Sequence, residues 1–309
     1  MDFLDSQIKS LFLDQLSSWK LARDNYAGLK TVQTKTVSFG DFDVRVQFNP
    51  ARMVSSGAKV DAKSIAARPC FLCAANRPAE QRSIDFGDYE ILVNPFPIFP
   101  EHFTIPRREH VPQHIKPFFG DMLELSKALD DYLIFYNGPQ CGASAPDHMH
   151  FQSGSKNFLP LVNEYKRMKE THTELLVTSE KMQLYRMINY LRMVYVVESS
   201  EKESAIDSFE KIYNHLTAGT SPSGAGQAVK SGDEPMLNIV STYENGKWTV
   251  FIIPRKAFRP WQYSVEGKRQ LLVSPATVEM GGVFITPVKA HFERISKEDI
   301  QSILEQASL

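Results

Sequence analysis

The sequence predicts an α+β fold, an antiparallel sheet with helices along its flanks. Three observations carry this. Apolar runs with strand character stand on both sides of a Gly/Ser/Pro-rich stretch at 219–235, and only a few helical patterns lie between them. The order is not the regular strand-helix alternation of a doubly wound parallel sheet. The composition, with 309 residues, 42% hydrophobic, 23% charged, 16 Gly and 18 Pro, is that of an ordinary globular chain long enough to bury a continuous core.

Leu4, Ile8, Leu11, Phe12 and Leu16 fall at helical spacing, so the first twenty residues read as an amphipathic helix packed on the domain. Val37 and Phe39, then Phe42, Val44, Val46 and Phe48, alternate as a hairpin turning near Gly40-Asp41. A polar stretch, 55–67, leads into Cys70-Phe71-Leu72-Cys73. Six prolines between Asn94 and Pro117 exclude helix and leave short strands joined by rigid turns, with His102-Phe103-Thr104-Ile105 as one strand. Phe119, Met122, Leu123, Leu125 and Leu129 then mark a helix and 132–136 a buried strand.

Segments 174–178 and 194–198 read as strands, and Ala205, Ile206, Phe209, Ile212, Tyr213 and Leu216 as a helix. Nine of the seventeen residues at 219–235 are Gly, Ser or Pro, the composition of a flexible connection, so units of 1–218 and 236–309 are expected on either side. Asn245-Gly246, between 236–243 and 247–254, is the strongest short hairpin signal. Apolar runs at 271–274 and 283–287 precede a closing helix, for which Ser296 and Asp299 make a capping box.

Thirty-five Lys plus Arg against 36 Asp plus Glu give a net charge of −1, so no basic field advertises nucleic acid or an anionic membrane. Three cysteines are too few for a disulfide framework. Charged residues interrupt the N-terminal apolar positions, and no run approaches transmembrane length. A soluble cytoplasmic protein is expected.

The chemistry concentrates in Asn137-Gly138-Pro139-Gln140-Cys141-Gly142-Ala143-Ser144-Ala145-Pro146-Asp147-His148-Met149-His150-Phe151-Gln152. On a strand, His148, His150 and Gln152 share one face while Met149 and Phe151 enter the core. Gly142-Ala143-Ser144 supplies a turn whose amides and hydroxyl suit phosphate oxygens. Histidines beside a phosphate cradle suggest phosphoryl or nucleotidyl transfer through an imidazole nucleophile, with structural or metal-binding histidines as the plain alternative.

The pattern N-(x)4-G-x-S-(x)3-H-x-H-x-Q resembles the signature of the histidine-triad (HIT) superfamily, in its transferase and phosphorylase branch. That branch includes galactose-1-phosphate uridylyltransferase, diadenosine tetraphosphate phosphorylase and the GDP-hexose phosphorylases. Gln152 stands where the hydrolases have a third histidine. Leu92-Val93-Asn94-Pro95-Phe96-Pro97 resembles the nucleoside-binding strand end, and 102–110 the strand-to-histidine segment; 251–256, Arg259-Pro260 and 272–276 look most like the second half of the GDP-hexose phosphorylases. One residue more separates Ser144 from His148 than in the uridylyltransferase.

The resemblance implies two HIT-like halves, with 236–309 completing the second. It makes His150 the nucleophile on the α-phosphorus of a nucleoside diphosphate compound, with Gln152 on a non-bridging oxygen of the intermediate. Gly142 and Ser144 would hold the diphosphate, and Asn94 and Asn137 the nucleoside or phosphate. Arg255, Lys256 and Arg259 are candidate cations for incoming phosphate, or else a solvated basic loop. Cys70 and Cys73 join His110 and His148 as a soft donor set for structural zinc, as in the uridylyltransferase, or are reduced buried thiols; no organic cofactor is expected. The expected function is an EC 2.7.7-like phosphorylase acting on a nucleoside diphosphate sugar through a nucleotidyl-histidine, with phosphate or a sugar 1-phosphate as acceptor. The alternatives are a diadenosine polyphosphate phosphorylase, a hexose-1-phosphate uridylyltransferase and, in another class, a non-catalytic nucleotide sensor. No nucleic acid or membrane partner is expected, and a homodimer is left open.

Overall fold

The computed structural model describes residues 3–53, 61–219 and 234–309. Most of the expected linker, 220–233, lies outside the described residues. The first helix expected from the sequence is two: α1 (Phe3–Ser18) and α2 (Lys20–Leu29), broken at Trp19, whose extended backbone (φ −110°, ψ 103°) accompanies a buried indole. The hairpin follows as β1 (Gln33–Ser38) and β2 (Asp43–Phe48), then the short α3 (Ala62–Ala66), capped by Asp61. Next come β3 (Ser83–Phe86), β4 (Tyr89–Val93), β5 (His102–Pro106), α4 (Phe119–Ala128), β6 (Tyr132–Asn137) and β7 (His150–Ser155). After these stand α5 (Pro160–His172), β8 (Thr173–Thr178), β9 (Met182–Met187), β10 (Tyr195–Ser199) and α6 (Lys202–Thr217). The last part holds β11 (Leu237–Glu244), β12 (Lys247–Pro254), α7 (Trp261–Ser264), α8 (Thr277–Met280), β13 (Val283–Thr286), α9 (Lys289–Arg294) and α10 (Lys297–Ala307). The β11–β12 turn has both Asn245 (φ 53°) and Gly246 (φ 79°) left-handed, as a two-residue hairpin of matching twist needs, and α10 carries the Ser296/Asp299 capping box.

One sheet of ten strands runs β3-β4-β5-β7-β6-β11-β12-β10-β9-β8, antiparallel throughout. A three-stranded sheet, β1-β2-β13, holds the one parallel pairing among the described residues. The run at 271–274 forms no strand. A division at 219–235 does not divide this sheet. Strands β8 to β10 precede that stretch yet continue the sheet from β12, which follows it, so a cut there would part β10 from its hydrogen-bonded neighbour. The midline of the sheet is instead the β6–β11 ladder, with five strands on either side.

Both faces of the sheet are covered at its centre, which is why every residue of β6 is buried, while the edge strands β3 and β8 are largely exposed. On one face Tyr132, Ile134, Tyr136, Met149 and Phe151 pack with residues of α1, α2, α4 and α6. On the other, Leu133, Phe135, Val240 and Phe251 pack with residues of α5, β1, β2, β13 and α10. The strand alternation expected for Met149 and Phe151 thus turns His150 and Gln152 towards the second face, where a cavity is lined by Leu92, Thr104 and Phe135 of the main sheet and by Ile285 of the small one. No helix among the described residues is long and apolar enough to cross a membrane.

Candidate active site

The cavity has a volume of about 570 Å³. Ladder register lays Leu92, Thr104, Gln152 and Phe135 side by side across its floor. Asn94, Asn137, Gly142, Ser144, His150, Gln152 and Arg259 all line it, so seven of the residues singled out from the sequence come together. They arrive from strands far apart in the chain and from the 137–149 loop.

The state of His150 follows from its hydrogen bonds. Its Nδ1 lies 2.8 Å from the backbone oxygen of His148, which can only accept. Nδ1 therefore carries the proton and Nε2 keeps its lone pair. Burial lowers the imidazole pKa to about 4, so the ring is neutral. The strand end that carries it is held by Gln113, a buried amide that accepts from His150 N (2.8 Å) and donates to the oxygens of His150 and Asn137 (3.0 Å each). The β6–β7 ladder stops at Phe135–Gln152, and this amide bridges the strands where they splay. Removing it leaves three buried backbone groups unpaired, so Gln113→Ala should cost about 2–4 kcal/mol in denaturant unfolding; a change below about 0.5 kcal/mol would contradict this bridging role.

Gln152 is oriented by an equally short chain of donors and acceptors. The amide of Ile98 donates to His102 Nδ1 (3.2 Å), so a neutral His102 carries its proton on Nε2 and donates to Gln152 Oε1 (3.0 Å). Burial, with help from the nearby Arg52 charge, lowers His102 to about 3 and keeps it neutral. With its oxygen engaged, Gln152 is left to offer its NH₂ group elsewhere, as a donor. Asn137 is set similarly: Oδ1 accepts from Thr277 N (2.9 Å), Thr277 Oγ1 (2.7 Å) and Asn238 Nδ2 (3.2 Å), which leaves its NH₂ group for the cavity it lines. Asn94 donates to Thr104 Oγ1 (3.0 Å) and accepts from Phe96 N (2.9 Å). Gly142 has φ +102°, and a Cβ there would come within 2.4 Å of Ala276 Cβ, so only glycine lets the 276–279 segment close on this loop.

The basic loop expected to receive phosphate divides. Arg259 lines the cavity, with Nε donating to Ser274 Oγ (3.1 Å) and its guanidinium stacked on Tyr263. Arg255 does not line it. Its buried guanidinium donates to Asn238 Oδ1 (2.6 Å) and to the oxygens of Ala307 (2.9 Å), Ala257 (3.0 Å) and Phe258 (3.4 Å), so it braces Asn238 and through it Asn137. Lys256 is exposed beside a separate surface depression with Trp261 and Glu305. Two cations that sequence reasoning missed take their place: Arg52, and Arg68, which donates to Ser144 O (3.0 Å) and reaches Asp147. Neither lies in a motif, and only the fold brings them to the wall.

Cys70, Cys73, His110 and His148 form one cluster, their ligand atoms all within 4.8 Å of one another. His148 Nδ1 is 3.3 Å from Cys70 Sγ and 3.6 Å from Cys73 Sγ, and His110 Nδ1 is 3.2 Å from Cys73 Sγ. The Nε2 of His148 donates to Arg107 O (2.7 Å), which turns the Nδ1 lone pair towards the sulfurs. Two sulfurs and two imidazoles at these separations are a donor set that can hold a tetrahedral metal ion.

Comparison with known proteins adds the following. Residues 11–155 match the family model described as a domain of unknown function (DUF4922), and residues 166–309 match the GDPGP1-like C-terminal domain. Protein APA1 of Saccharomyces cerevisiae is 27% identical over 192 residues, covering 52% of this chain and 58% of that protein. Diadenosine 5′,5‴-P1,P4-tetraphosphate phosphorylase 2 of the same yeast is 31% identical over 107 residues, covering 25% and 33%. The chain thus spans 58% and 33% of the length of these two curated relatives. The structure of yeast Ap4A phosphorylase Apa2 in complex with Ap4A superposes with a TM-score of 0.61 over 98% of this chain and 97% of that one, at 16% identity, which establishes a common fold. The H-x-H-x-Q motif, two family models that meet between 155 and 166, and a fold shared over nearly the whole chain support the resemblance to the phosphorylase and transferase branch of the histidine-triad superfamily.

Proposed function

We propose that the protein is a nucleotidyltransferase of the phosphorylase type that works through a covalent nucleotidyl-His150. The observation that carries this is the tautomer of His150: a neutral ring with Nδ1–H spent on a backbone oxygen and an Nε2 lone pair, in a cavity that also holds Gly142, Ser144 and three arginines. Nε2 attacks the α-phosphorus, the bond to the leaving phosphate oxygen breaks, and the nucleotide rests on the ring. Donors rather than a strong base suit this step, because charge spreads over the phosphoryl oxygens. Gln152 and Asn137 supply NH₂ groups, and Arg68 and Arg259 supply charge.

The substrate we favour is a nucleoside diphosphate hexose, with phosphate as acceptor and a hexose 1-phosphate leaving first. The match to the GDPGP1-like C-terminal domain supports this choice. Phosphorolysis of a dinucleoside polyphosphate is the second reading, favoured by the likeness to the yeast Ap4A phosphorylases. Gln152 cannot give and recover a proton as imidazole does, so water is poorly activated and the intermediate waits for phosphate. We also assign zinc to the Cys70, Cys73, His110 and His148 cluster, as a clamp on the strand that bears His150 and outside the chemistry.

The test is turnover of GDP-hexoses and of Ap4A with and without phosphate. Phosphate should raise the rate at least about tenfold, some 1.4 kcal/mol in barrier, with parallel-line kinetics and a nucleoside diphosphate as product from the hexose compound. A rate indifferent to phosphate, with nucleoside monophosphate as product, would make the protein a hydrolase.

A further inference from the structure

We propose that Arg52 and Glu279 form the subsite for the acceptor, inorganic phosphate, and that Glu279 recognises it by accepting a hydrogen bond from the phosphate's own hydroxyl. The proposal rests on the phosphorolytic reading above and adds the site where the second substrate docks.

Glu279 is the anomaly in the cavity. Among the described residues the other ionisable side chains lining it are Arg52, Arg68, Arg259 and neutral His150, so it is the one carboxylate found in the wall of a chamber otherwise built for anions. It is 6% exposed. Its Oε2 accepts from Ala276 N (2.9 Å), closing the cap of α8, and that helix start is docked on the phosphate loop through Thr277 to Asn137 and through Ala276 against Gly142. Burial raises its carboxyl to about 7, opposed by backbone amides of Ala276, Glu279 and Ile285 and by the Arg52 charge. Arg255 also feels its field, but that guanidinium is spent on Asn238 and backbone oxygens.

Arg52 and Glu279 sense one another's charge without being joined as an ion pair, since the hydrogen bonds of each go elsewhere. The Nη1 of Arg52 donates to Phe96 O (2.7 Å), and its Nε is buried with no partner. The pair therefore offers a ligand donors on one side and an acceptor on the other. Monohydrogen phosphate carries both matching functions, anionic oxygens for the guanidinium and one P–OH for the carboxylate. Sulfate has nearly the same size and charge but no hydroxyl, and would set two negative groups face to face.

This orientation also suits the second half-reaction. An anionic oxygen of the acceptor forms a bond to the nucleotidyl phosphorus, the P–Nε2 bond breaks, and its electron pair returns to His150 as the lone pair. The P–OH proton stays on the new terminal phosphate throughout, held by Glu279, so no base is required.

The experiment compares phosphate and sulfate binding by calorimetry at mildly alkaline pH, in wild type and Glu279→Gln. Glutamine can fill the same capping position, so the fold is kept, which a thermal melt checks. Wild type should prefer phosphate by at least about a hundredfold, because a site built to meet a hydroxyl rejects the analogue lacking one. In Glu279→Gln that preference should fall at least about tenfold, through a gain in sulfate affinity, whereas Arg52→Gln should weaken both anions together. A wild-type enzyme that binds the two anions alike, or a preference unchanged in Glu279→Gln, overturns the subsite. Neither result depends on turnover: discrimination by Glu279 in a protein that phosphorolyses nothing would leave the subsite standing and reject the phosphorylase reading instead.

Discussion

His150→Ala should fold, bind nucleotide and turn over at least about a thousandfold more slowly than wild type. The size of the loss follows from the part the ring plays. A nucleophile contributes to the transition state far more than to ground-state binding, and among the described residues no other imidazole lines the cavity to replace it. The fold should survive because the contacts that hold this strand end, from Gln113 to the backbone N and O of residue 150, do not involve the side chain. Substrate labelled at the α-phosphate should leave label on wild-type protein and none on the variant. A variant that keeps more than about a tenth of the activity, a loss under ~1.4 kcal/mol, would remove His150 from the covalent role.

Removing the metal is the second large effect. Protein purified without added zinc should carry about one equivalent, bound by Cys70, Cys73, His110 and His148. A strong chelator should lower the melting temperature by at least about 5 °C, since structural zinc contributes on the order of 10 kcal/mol where a fold depends on it, and here the two buried cores share the load. Alkylation gives a readout independent of activity. Cys70 and Cys73 should resist iodoacetamide in the metal-loaded protein and react after chelation, while buried Cys141 stays inert in both. Less than about a tenth of an equivalent of zinc, with an unchanged melting temperature after chelation, would leave the cluster as a pair of reduced thiols beside two histidines.

Local pattern was enough to read the hairpins at 33–48 and 237–254, the helix before β6 and the capped helix at the C-terminus, because each is set by residues a few positions apart. The core of the site was legible for the same reason. His150 and Gln152 share the cavity face as alternation requires, with Met149 and Phe151 in the opposite core, whereas His148 precedes the strand, which begins at His150, and turns to Cys70 and Cys73 instead of lining the cavity. What the chain order could not decide is which distant segments meet. Strands β9 and β10 join the sheet beyond β12 because their apolar faces enter the two packed layers, with β8 added as an exposed edge, and not because of where the Gly/Ser/Pro-rich stretch falls. Arg255 sits in the same short basic run as Arg259, yet one guanidinium is consumed inside the fold and the other faces the cavity. Arg52, Arg68, Gln113 and Glu279 lie in no chemical motif, since their meaning is a direction in space and a partner up to hundreds of residues away. Hydrogen bonds are satisfied in three dimensions, so the tautomer of His150, the orientation of Gln152 and the lone carboxylate in the cavity wall are decided only when the tertiary structure brings each donor to its acceptor.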